Sequence, residues 1–355
     1  MTGGRIRYID VARGIGILLV VAAHNDLALV SLLLYRFIYS FHMPLFFFLS
    51  GYFLKSEVPF LRFLGRRFNT VLKPYLFTIL LIYLTSVSFS NMSFATALGR
   101  IAKDMYGTGP YIDWVPLWFL PSLFVTGLFA YLLQRLLLKH IRARLLRWLV
   151  LLGMAAVGVY FLEAFYPYSL TLPGKGYELY GLPYSLDLVL LTGFFYLLGS
   201  EIRTTYMAGL LENPWFLLGS GGAMVALAAF IPQTIDFYTR LFPLFIVNLP
   251  RAILGILLTL AVSKQIEMHS GRLSDVLAYI GRASLFILIF HMPIQEYWNG
   301  KVLHVTKSQP VATVAAFLIS VGLSLAFYKV FVEHNPVASF FFGRKAPPTG
   351  KPDSA

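Results

Sequence analysis

The sequence predicts an all-α, polytopic integral membrane protein, a bundle of about ten transmembrane helices with the N- and C-termini in the cytoplasm. Of its 355 residues, 58% are hydrophobic and 13% are charged, and the mean hydropathy is +0.71. Soluble domains carry about 25% charged residues. Apolar segments of about twenty residues, each long enough to cross a bilayer, recur along the chain. Together these observations predict a multi-pass protein of a cell membrane.

The apolar segments give the order of the predicted helices. The ten helices cover residues 12–34, 36–54, 70–89, 116–138, 145–163, 184–201, 214–232, 240–263, 278–298 and 311–332. We expect residues 1–335 to form one transmembrane domain and residues 336–355 a disordered cytoplasmic tail, since the end of the chain is polar and rich in Pro and Gly. Arg5 and Arg7 precede the first apolar run as in a signal peptide, but ionisable residues inside the run favour an uncleaved first helix.

The distribution of basic residues predicts the orientation. The net charge is +13, from 29 Lys and Arg residues against 16 Asp and Glu. Seven basic residues fall in predicted outer loops, namely Arg36, Arg100, Lys103, Lys175, Arg240, Lys301 and Lys307, and Arg251 lies within a span. The other 21 fall in regions that are cytoplasmic if the N-terminus is inside. Cytoplasmic loops carry such an excess, so we expect no nucleic acid partner.

The first two predicted helices contain four ionisable side chains, Arg13, His24, Asp26 and His42. An ionisable group inside a bilayer costs several kcal/mol unless it is paired or solvated, so these residues indicate a functional site. Arg13 and His24 are eleven residues apart, which places both on nearly one face of a helix, about 16 Å apart along its axis. The alternative is that Arg13 is an ordinary basic residue at the membrane surface and His24 packs helices together.

A short repeat places further histidines inside spans. Phe41-His42-Met43-Pro44 in the second helix recurs as Phe290-His291-Met292-Pro293 in the ninth. In each copy the proline removes a backbone donor, and we expect the helix to open beside the histidine. Three neutral imidazoles could bind a metal. Acid/base chemistry is the favoured interpretation, because histidine has an unperturbed pKa near neutrality, and we expect no metal. The chain has no cysteine, which excludes disulfides and thiolate ligands.

Basic residues near the ends of the spans have two interpretations. These residues are Arg13, Arg66, Arg67, Lys73 and Arg282. Each one could bind an anionic lipid headgroup. Their recurrence near the helices that carry the histidines also suits a polyphosphate ligand, since guanidinium groups match phosphate oxygens. Asp10 and Arg13 are spaced to form a local ion pair.

Several motifs of the sequence resemble one known family, the membrane-bound acyltransferase family 3, in the branch similar to fucose 4-O-acetylases. The residues concerned are Ile9-Asp10-Val11-Ala12-Arg13-Gly14-Ile15-Gly16-Ile17, the spacing from Arg13 to His24, Phe41 to Tyr52, Lys73-Pro74-Tyr75, Leu117-Trp118-Phe119-Leu120-Pro121, and Gly281-Arg282-Ala283-Ser284-Leu285 before His291. The resemblance covers residues 5 to 335. It implies an O-acyltransferase of the bacterial inner membrane that uses cytoplasmic acetyl-CoA to acylate a cell-surface glycan, such as lipopolysaccharide, or its lipid-linked precursor.

The resemblance also implies that Arg13 and His24 are required for acyl transfer. Our hypothesis makes His24 the general base on the acceptor hydroxyl, or a transient acyl carrier. The basic residues Arg13, Arg66, Arg67, Lys73 and Arg282 then hold the phosphates of CoA, because the pantetheine arm is long enough to span the 16 Å to His24. His42, His291 and Trp118 line the passage or steady the oxyanion.

The acceptor is expected to contact Trp118, Asp26, Asp187 and Arg251, with Arg251 alternatively pairing with Asp187. On an unbroken helix Asp26 points about 160° away from His24, and it orients that ring only if the helix is broken there. Tyr and Trp residues of the long outer loops form an interfacial belt or stack on sugar rings.

Two other classes of function fit the same residues. A transporter or flippase of a glycan or lipid uses intramembrane charges as a proton relay and broken helices as gates. A structural subunit that binds anionic membrane lipid needs none of the histidines. The sequence makes no prediction of the oligomeric state.

Overall fold

The computed structural model describes residues 6–26, 30–89, 92–172, 175–203 and 207–342, and they are almost entirely helical. The first part of the chain forms α1 (Arg7–Ala23), α2 (Leu32–Ile38), α3 (His42–Gly51), α4 (Phe60–Arg67), α5 (Lys73–Phe89), α6 (Phe94–Tyr106), α7 (Phe119–Leu136) and α8 (Arg144–Tyr160). The second part forms α9 (Val189–Arg203), α10 (Ala208–Glu212), α11 (Pro214–Phe230), α12 (Phe245–His269), α13 (Gly271–Arg282), α14 (Ser284–Thr306), α15 (Gln309–Phe327) and α16 (Pro336–Phe341).

Helices of transmembrane length and composition confirm a multi-pass helical membrane protein. Six such helical stretches occur in the described part of the chain, or seven if the bent pair α13 and α14 is one span. The six are Leu32–Gly51, Phe60–Ser88, Val115–His140, Pro183–Arg203, Phe245–His269 and Gln309–Glu333. The shorter apolar helix α11 lies where we predicted the span 214–232. The count of ten spans and the cytoplasmic position of both termini stay predictions.

The first predicted helix is interrupted. We predicted one helix over residues 12–34, but α1 ends at Ala23 with His24 as its C-cap. Asp26 then adopts a left-handed conformation with φ of 49°, which ends helical hydrogen bonding and which Asp and Asn tolerate better than most residues. Residues 27–29 lie outside the described part of the chain. His24 is therefore at the end of a helix, next to a polar turn.

Two glycines bring α1 against α13. A Cβ atom at Gly14 would collide with the main-chain carbonyl of Leu277, and one at Gly281 would collide with the carbonyl of Asp10. Such contacts between small residues let helix backbones approach closely in membranes. The packing fixes Arg282, at the end of α13, near Asp10 and Arg13.

The bend between α13 and α14 differs from our prediction of one straight helix over residues 278–298. The two helices meet at Ala283 with a bend of 76°. We expected the opening beside His291 at Pro293, but Pro293 lies inside the continuous helix α14. Pro44 lies in the first turn of α3, where a helix needs no donor from the residue. The predicted helix 36–54 is broken between Ile38 and His42, so a helix does open beside His42, whereas α14 continues past His291.

Two short segments also depart from the expectations. The predicted outer loop 163–183 contains an antiparallel pair of strands, β1 (Tyr168–Leu172) and β2 (Lys175–Leu179), in which Tyr168 pairs with Leu179. The start of the predicted disordered tail forms α16, whose Phe341 ring stacks on Phe77 at 4.1 Å. The rest of that tail, from residue 343, lies outside the described residues.

Candidate active site

Three histidines meet near the end of α1. The His24 ring at the C-cap lies 5.5 Å from the His291 ring of α14, centroid to centroid, at an interplanar angle of 50°. His42, at the start of α3, lies close enough to interact electrostatically with His24. His42 and His291 are buried, whereas His24 keeps part of its surface accessible. Three predicted site residues from separate helices therefore lie together.

Main-chain carbonyls fix the tautomers of two of these rings. Nδ1 of His42 lies 3.0 Å from the carbonyl oxygen of Ile38, and Nδ1 of His291 lies 2.9 Å from that of Ile287. A carbonyl oxygen only accepts, so Nδ1 of each neutral ring donates and Nε2 keeps its lone pair. Neutral His42 and His291 therefore cannot donate to an oxyanion through Nε2, which argues against that predicted role and favours proton acceptance.

A basic cavity lies at the other end of α1, and we call it the mouth. It has a volume of about 510 Å³. Its lining residues are Asp10, Arg13, Ser50, Phe53, Lys55, Val58, Phe63, Arg66, Arg67, Thr70 and Tyr196. Four of these side chains carry a positive charge. The ion pair expected between Arg13 and Asp10 is present at 3.4 Å, and the guanidinium of Arg13 lies 5.0 Å from the centre of the Phe53 ring.

A second cavity adjoins the mouth and runs deeper, and we call it the shaft. It has a volume of about 400 Å³ and shares Asp10, Arg13, Ser50, Arg67 and Thr70 with the mouth. Its remaining lining is mostly apolar and comes from α1, α3, α7, the bend between α13 and α14, and Val71 in the turn between α4 and α5. Ile17 and Leu288 line it. Leu288 precedes His291 by three residues, about 4.5 Å along a helix axis.

Of the five basic residues predicted to bind phosphate, four line these cavities. Arg13, Arg66 and Arg67 line the mouth, and Arg282 lines the shaft. The guanidinium of Arg67 donates to the Tyr196 hydroxyl and lies over the Tyr196 ring. Lys73 lines neither cavity, since its ammonium lies 3.8 Å from the centre of the Phe340 ring. The phosphate-binding prediction therefore loses its geometric support at Lys73.

The comparison with known protein families agrees with this architecture. A family model for an acyltransferase domain, that of acyltransferase family 3, matches residues 6–329. The chain belongs to this acyltransferase family. No curated protein and no solved structure matches it significantly. The protein is thus a multi-pass membrane acyltransferase whose family domain includes the mouth, the shaft and all three histidines.

The predicted alternative that Arg251 pairs with Asp187 is wrong. Asp187 pairs with Arg240, Nε to Oδ2 at 2.7 Å, and both side chains are almost fully buried. Arg251 instead donates to the carbonyl oxygens of Gln233 and Arg36, each at 3.0 Å. Asp187 also accepts from the Leu182 amide, so this pair ties together two connecting segments of the chain. Asp187 and Arg251 thus have partners within the protein, and their contact with the acceptor stays a prediction.

The remaining predicted acceptor residues of the acyltransferase lie at different depths. Trp118 is buried behind the shaft, where its ring contacts Phe119, a lining residue, and Tyr238, each at 6.5 Å. Asp26 is exposed and accepts from the Asn299 amide at 3.3 Å. Asp26 follows the break in α1 that we named as the condition for orienting His24, but its described contacts are with amides.

Sequence reasoning missed several site residues of the acyltransferase. Tyr196 and Ser50 line the mouth, and Gln295 lies one turn from His291 on α14. Lys55 also lines the mouth; in the sequence it is one of the 21 basic residues of the predicted cytoplasmic regions. The polar spacing of His291, Gln295 and Asn299 along one helix face was the available signal for Gln295. In the described part of the chain, no group of three or more His, Cys, Asp or Glu residues has the geometry of a metal site.

Proposed function

We propose that this acyltransferase is an O-acetyltransferase of the bacterial inner membrane, similar to fucose 4-O-acetylases. It moves an acetyl group from cytoplasmic acetyl-CoA to a hydroxyl of a cell-surface glycan or of its lipid-linked precursor. The observation that carries the proposal is the continuous path formed by the mouth and the shaft. This path begins among arginines and reaches Ile17 and Leu288, about one helical turn before His291; none of the three histidines lines either cavity.

The mouth suits the phosphates of CoA. Arg13, Lys55, Arg66 and Arg67 supply positive charge around one cavity of about 510 Å³. Guanidinium groups form paired hydrogen bonds with phosphate oxygens, and these charge-assisted bonds are among the stronger hydrogen bonds in proteins. Phe53 and Tyr196 add aromatic surface on which a purine ring can stack. A transporter of a neutral glycan has no need for this arrangement.

The shaft suits the pantetheine arm and the thioester. Its lining includes the apolar residues Ile17, Phe46, Leu285 and Leu288. Arg67 and Arg282 also line it and supply positive charge. Arg13 and His24 are about 16 Å apart along α1, since the helix continues from one to the other. Phosphates held near Arg13 thus leave the acetyl thioester near the histidines.

His24 acts as the general base in this proposal. It takes the proton of the acceptor hydroxyl while the hydroxyl oxygen attacks the thioester carbonyl. A new C–O bond forms, the C–S bond breaks, and the proton reaches the departing sulfur to give the CoA thiol. Positioned general bases contribute about 10²- to 10⁴-fold to such reactions.

The test uses cells in which the gene has been deleted and is returned as wild type or as His24→Ala. We expect mass spectrometry of the surface glycans to show O-acetyl groups with the wild type. With His24→Ala we expect a fall of at least about 100-fold, because the base is lost. The control is equal protein in the membrane fraction. Wild-type acetylation by His24→Ala would remove His24 from the mechanism, and unchanged glycans with the wild type would contradict the proposed function.

A further inference from the structure

Helix α14 carries a buried polar face that continues beyond the histidines. His291, Gln295 and Asn299 recur at intervals of four residues and are 0%, 1% and 9% exposed. Residues at this spacing share one side of a helix. The Gln295 amide donates to the carbonyl oxygen of Val21 at 2.9 Å, and the Asn299 amide donates to Asn25 at 3.1 Å. We call the five residues His291, Gln295, Asn299, Asn25 and Asp26 the polar seam.

Two atoms of the polar seam have no hydrogen-bond partner among the described residues, Nε2 of His291 and Oε1 of Gln295. Both atoms are acceptors. Nδ1 of His291 donates to main-chain carbonyls, so Nε2 of the neutral ring holds a lone pair. The Gln295 nitrogen faces the Val21 carbonyl, so the side-chain oxygen must face the other way. Two buried acceptors one helical turn apart thus lack a donor.

Leaving such groups unpaired is costly. A buried acceptor without a donor has lost its hydrogen bonds to water and gained none in return, which destabilises the folded protein. Buried polar atoms in native proteins are nearly all paired with protein or with bound molecules, so an unpaired cluster indicates a ligand. Since both atoms accept, the ligand must donate. Phosphates, carboxylates and carbonyl groups do not fit, and an O–H group does.

The polar seam reaches the surface at its far end. Asp26 is exposed, and it accepts from Asn299 at 3.3 Å and from Gln309 at 3.5 Å. This end follows His24, whereas the mouth lies around Arg13 at the opposite end of the path along α1. The seam and the shaft therefore approach the His24–His291 pair from different directions.

We propose that the polar seam is the hydroxyl subsite of the enzyme, where His291 Nε2 accepts from the O–H group that attacks the thioester and Gln295 Oε1 accepts from a second O–H of the same molecule. The proposal rests on the proposed function. The O–H group belongs to the acceptor alcohol or to a water molecule. In either case its oxygen bonds to the acyl carbon, the C–S bond breaks, and its proton passes by way of His291 Nε2 to the neighbouring His24, the base of the proposed function, and from His24 to the thiolate of CoA.

The experiment compares Gln295→Met with Gln134→Met in the full-length protein reconstituted in vesicles. Gln134 is a matched control, because its Oε1 is also buried and without a partner in the described structure, and it lies on α7, outside the polar seam; neither glutamine lines the mouth or the shaft. Acetyl-CoA is the donor, and membranes from cells lacking the gene are the acceptor source. We expect Gln295→Met to raise the half-saturating amount of acceptor membranes at least tenfold. The KM for acetyl-CoA should stay within about twofold of wild type, and Gln134→Met should match wild type.

Hydrolysis of acetyl-CoA without acceptor membranes separates the two sources of the O–H group. Loss of transfer with unchanged hydrolysis identifies the acceptor alcohol, and an equal loss of both identifies water. Gln295→Asn is the second variant, because its shorter amide cannot reach Val21 while presenting its oxygen at the same place. If both Gln295 variants match Gln134→Met in transfer and in hydrolysis, the hydroxyl subsite is wrong while the proposed function stands. A wild type that neither transfers nor hydrolyses acetyl groups overturns both proposals.

Discussion

His42 and His291 are both oriented by the carbonyl oxygen four residues earlier in the chain, Ile38 and Ile287. The two copies of the Phe-His-Met-Pro repeat thus share a hydrogen bond that leaves Nε2 free to accept. The sequence predicted the histidines and their grouping with His24. It did not predict the tautomers, because these depend on side-chain rotamers and on which main-chain atom each ring meets.

The pairing of Arg240 with Asp187 is a second contact that could not be predicted from the sequence. Asp187 and Arg251 both fall inside predicted spans, where ionisable groups are expected to pair, so pairing them was a reasonable expectation from the sequence. Arg240 lay in a predicted outer loop and gave no sign of burial. Only the folding of residues 231–244 over the helices brings it to Asp187, 53 positions away.

Asp104 gives a prediction at this scale, since it lies on α6, outside the candidate spans. Burial raises the pKa of its carboxyl to about 6, and the nearby Asp113 also raises the pKa. The folded protein thus keeps the proton to higher pH than the unfolded chain does. The stability contributed by this group is complete below about pH 4 and is lost as the pH rises through 6.

Asp104→Asn should therefore flatten the decrease in Tm between pH 4 and 6, because its amide does not ionise. The measurement is the Tm of detergent-purified protein at each pH. Asp275→Asn is the control, since the side chain of Asp275 is 75% exposed, and it should follow the wild-type profile. A pH profile of Asp104→Asn identical to that of wild type would show that Asp104 does not titrate in this range.

At the scale of elements, α1 determines the geometry of the site. Its continuous helix from Arg7 to Ala23 preserves the distance predicted between Arg13 and His24. The break after His24 was not predicted, because the apolar residues beyond Asp26 extend the hydrophobic run. The bend of 76° at Ala283 was also missed. Alanine favours helix, so Ala283 itself gives no sign of the bend.

The close contact of α1 with α13 makes a prediction for Gly14→Ala. Its Cβ would collide with the Leu277 carbonyl, and overpacking of this kind costs about 1–3 kcal/mol. We expect a lower Tm in detergent and reduced transfer, since Arg13 and Arg282 flank the contact.

The control for that variant is Gly153→Ala, within α8. A Cβ at Gly153 has no neighbour within 4 Å in the described structure, so the change should stabilise the protein by about 0.5–1 kcal/mol through helix propensity. Equal Tm changes for the two variants would contradict the close packing of α1 and α13.

At the scale of the molecule, the parts of the site lie one after another along the axis of α1. The mouth surrounds Arg13, the shaft passes Ile17, and the histidine pair and the polar seam lie at the end that includes His24 and Asp26. Composition alone was enough to predict a helical membrane protein. The cavities could not be predicted, because they depend on how α3, α4 and α7 pack around α1, and hydropathy carries no information on which helices are neighbours.

We propose above all that CoA binds at the mouth and that acetyl transfer takes place at His24. The most direct measurement is the Kd for acetyl-CoA, obtained from its effect on the Tm of detergent-purified wild type, Arg13→Ala and His24→Ala. A ligand at 100 times its Kd stabilises a protein by about 2.7 kcal/mol. We predict saturable stabilisation of wild type, a Kd at least tenfold weaker for Arg13→Ala, and a Kd within about twofold of wild type for His24→Ala. Absence of stabilisation in wild type, or an unchanged Kd for Arg13→Ala, would contradict this account.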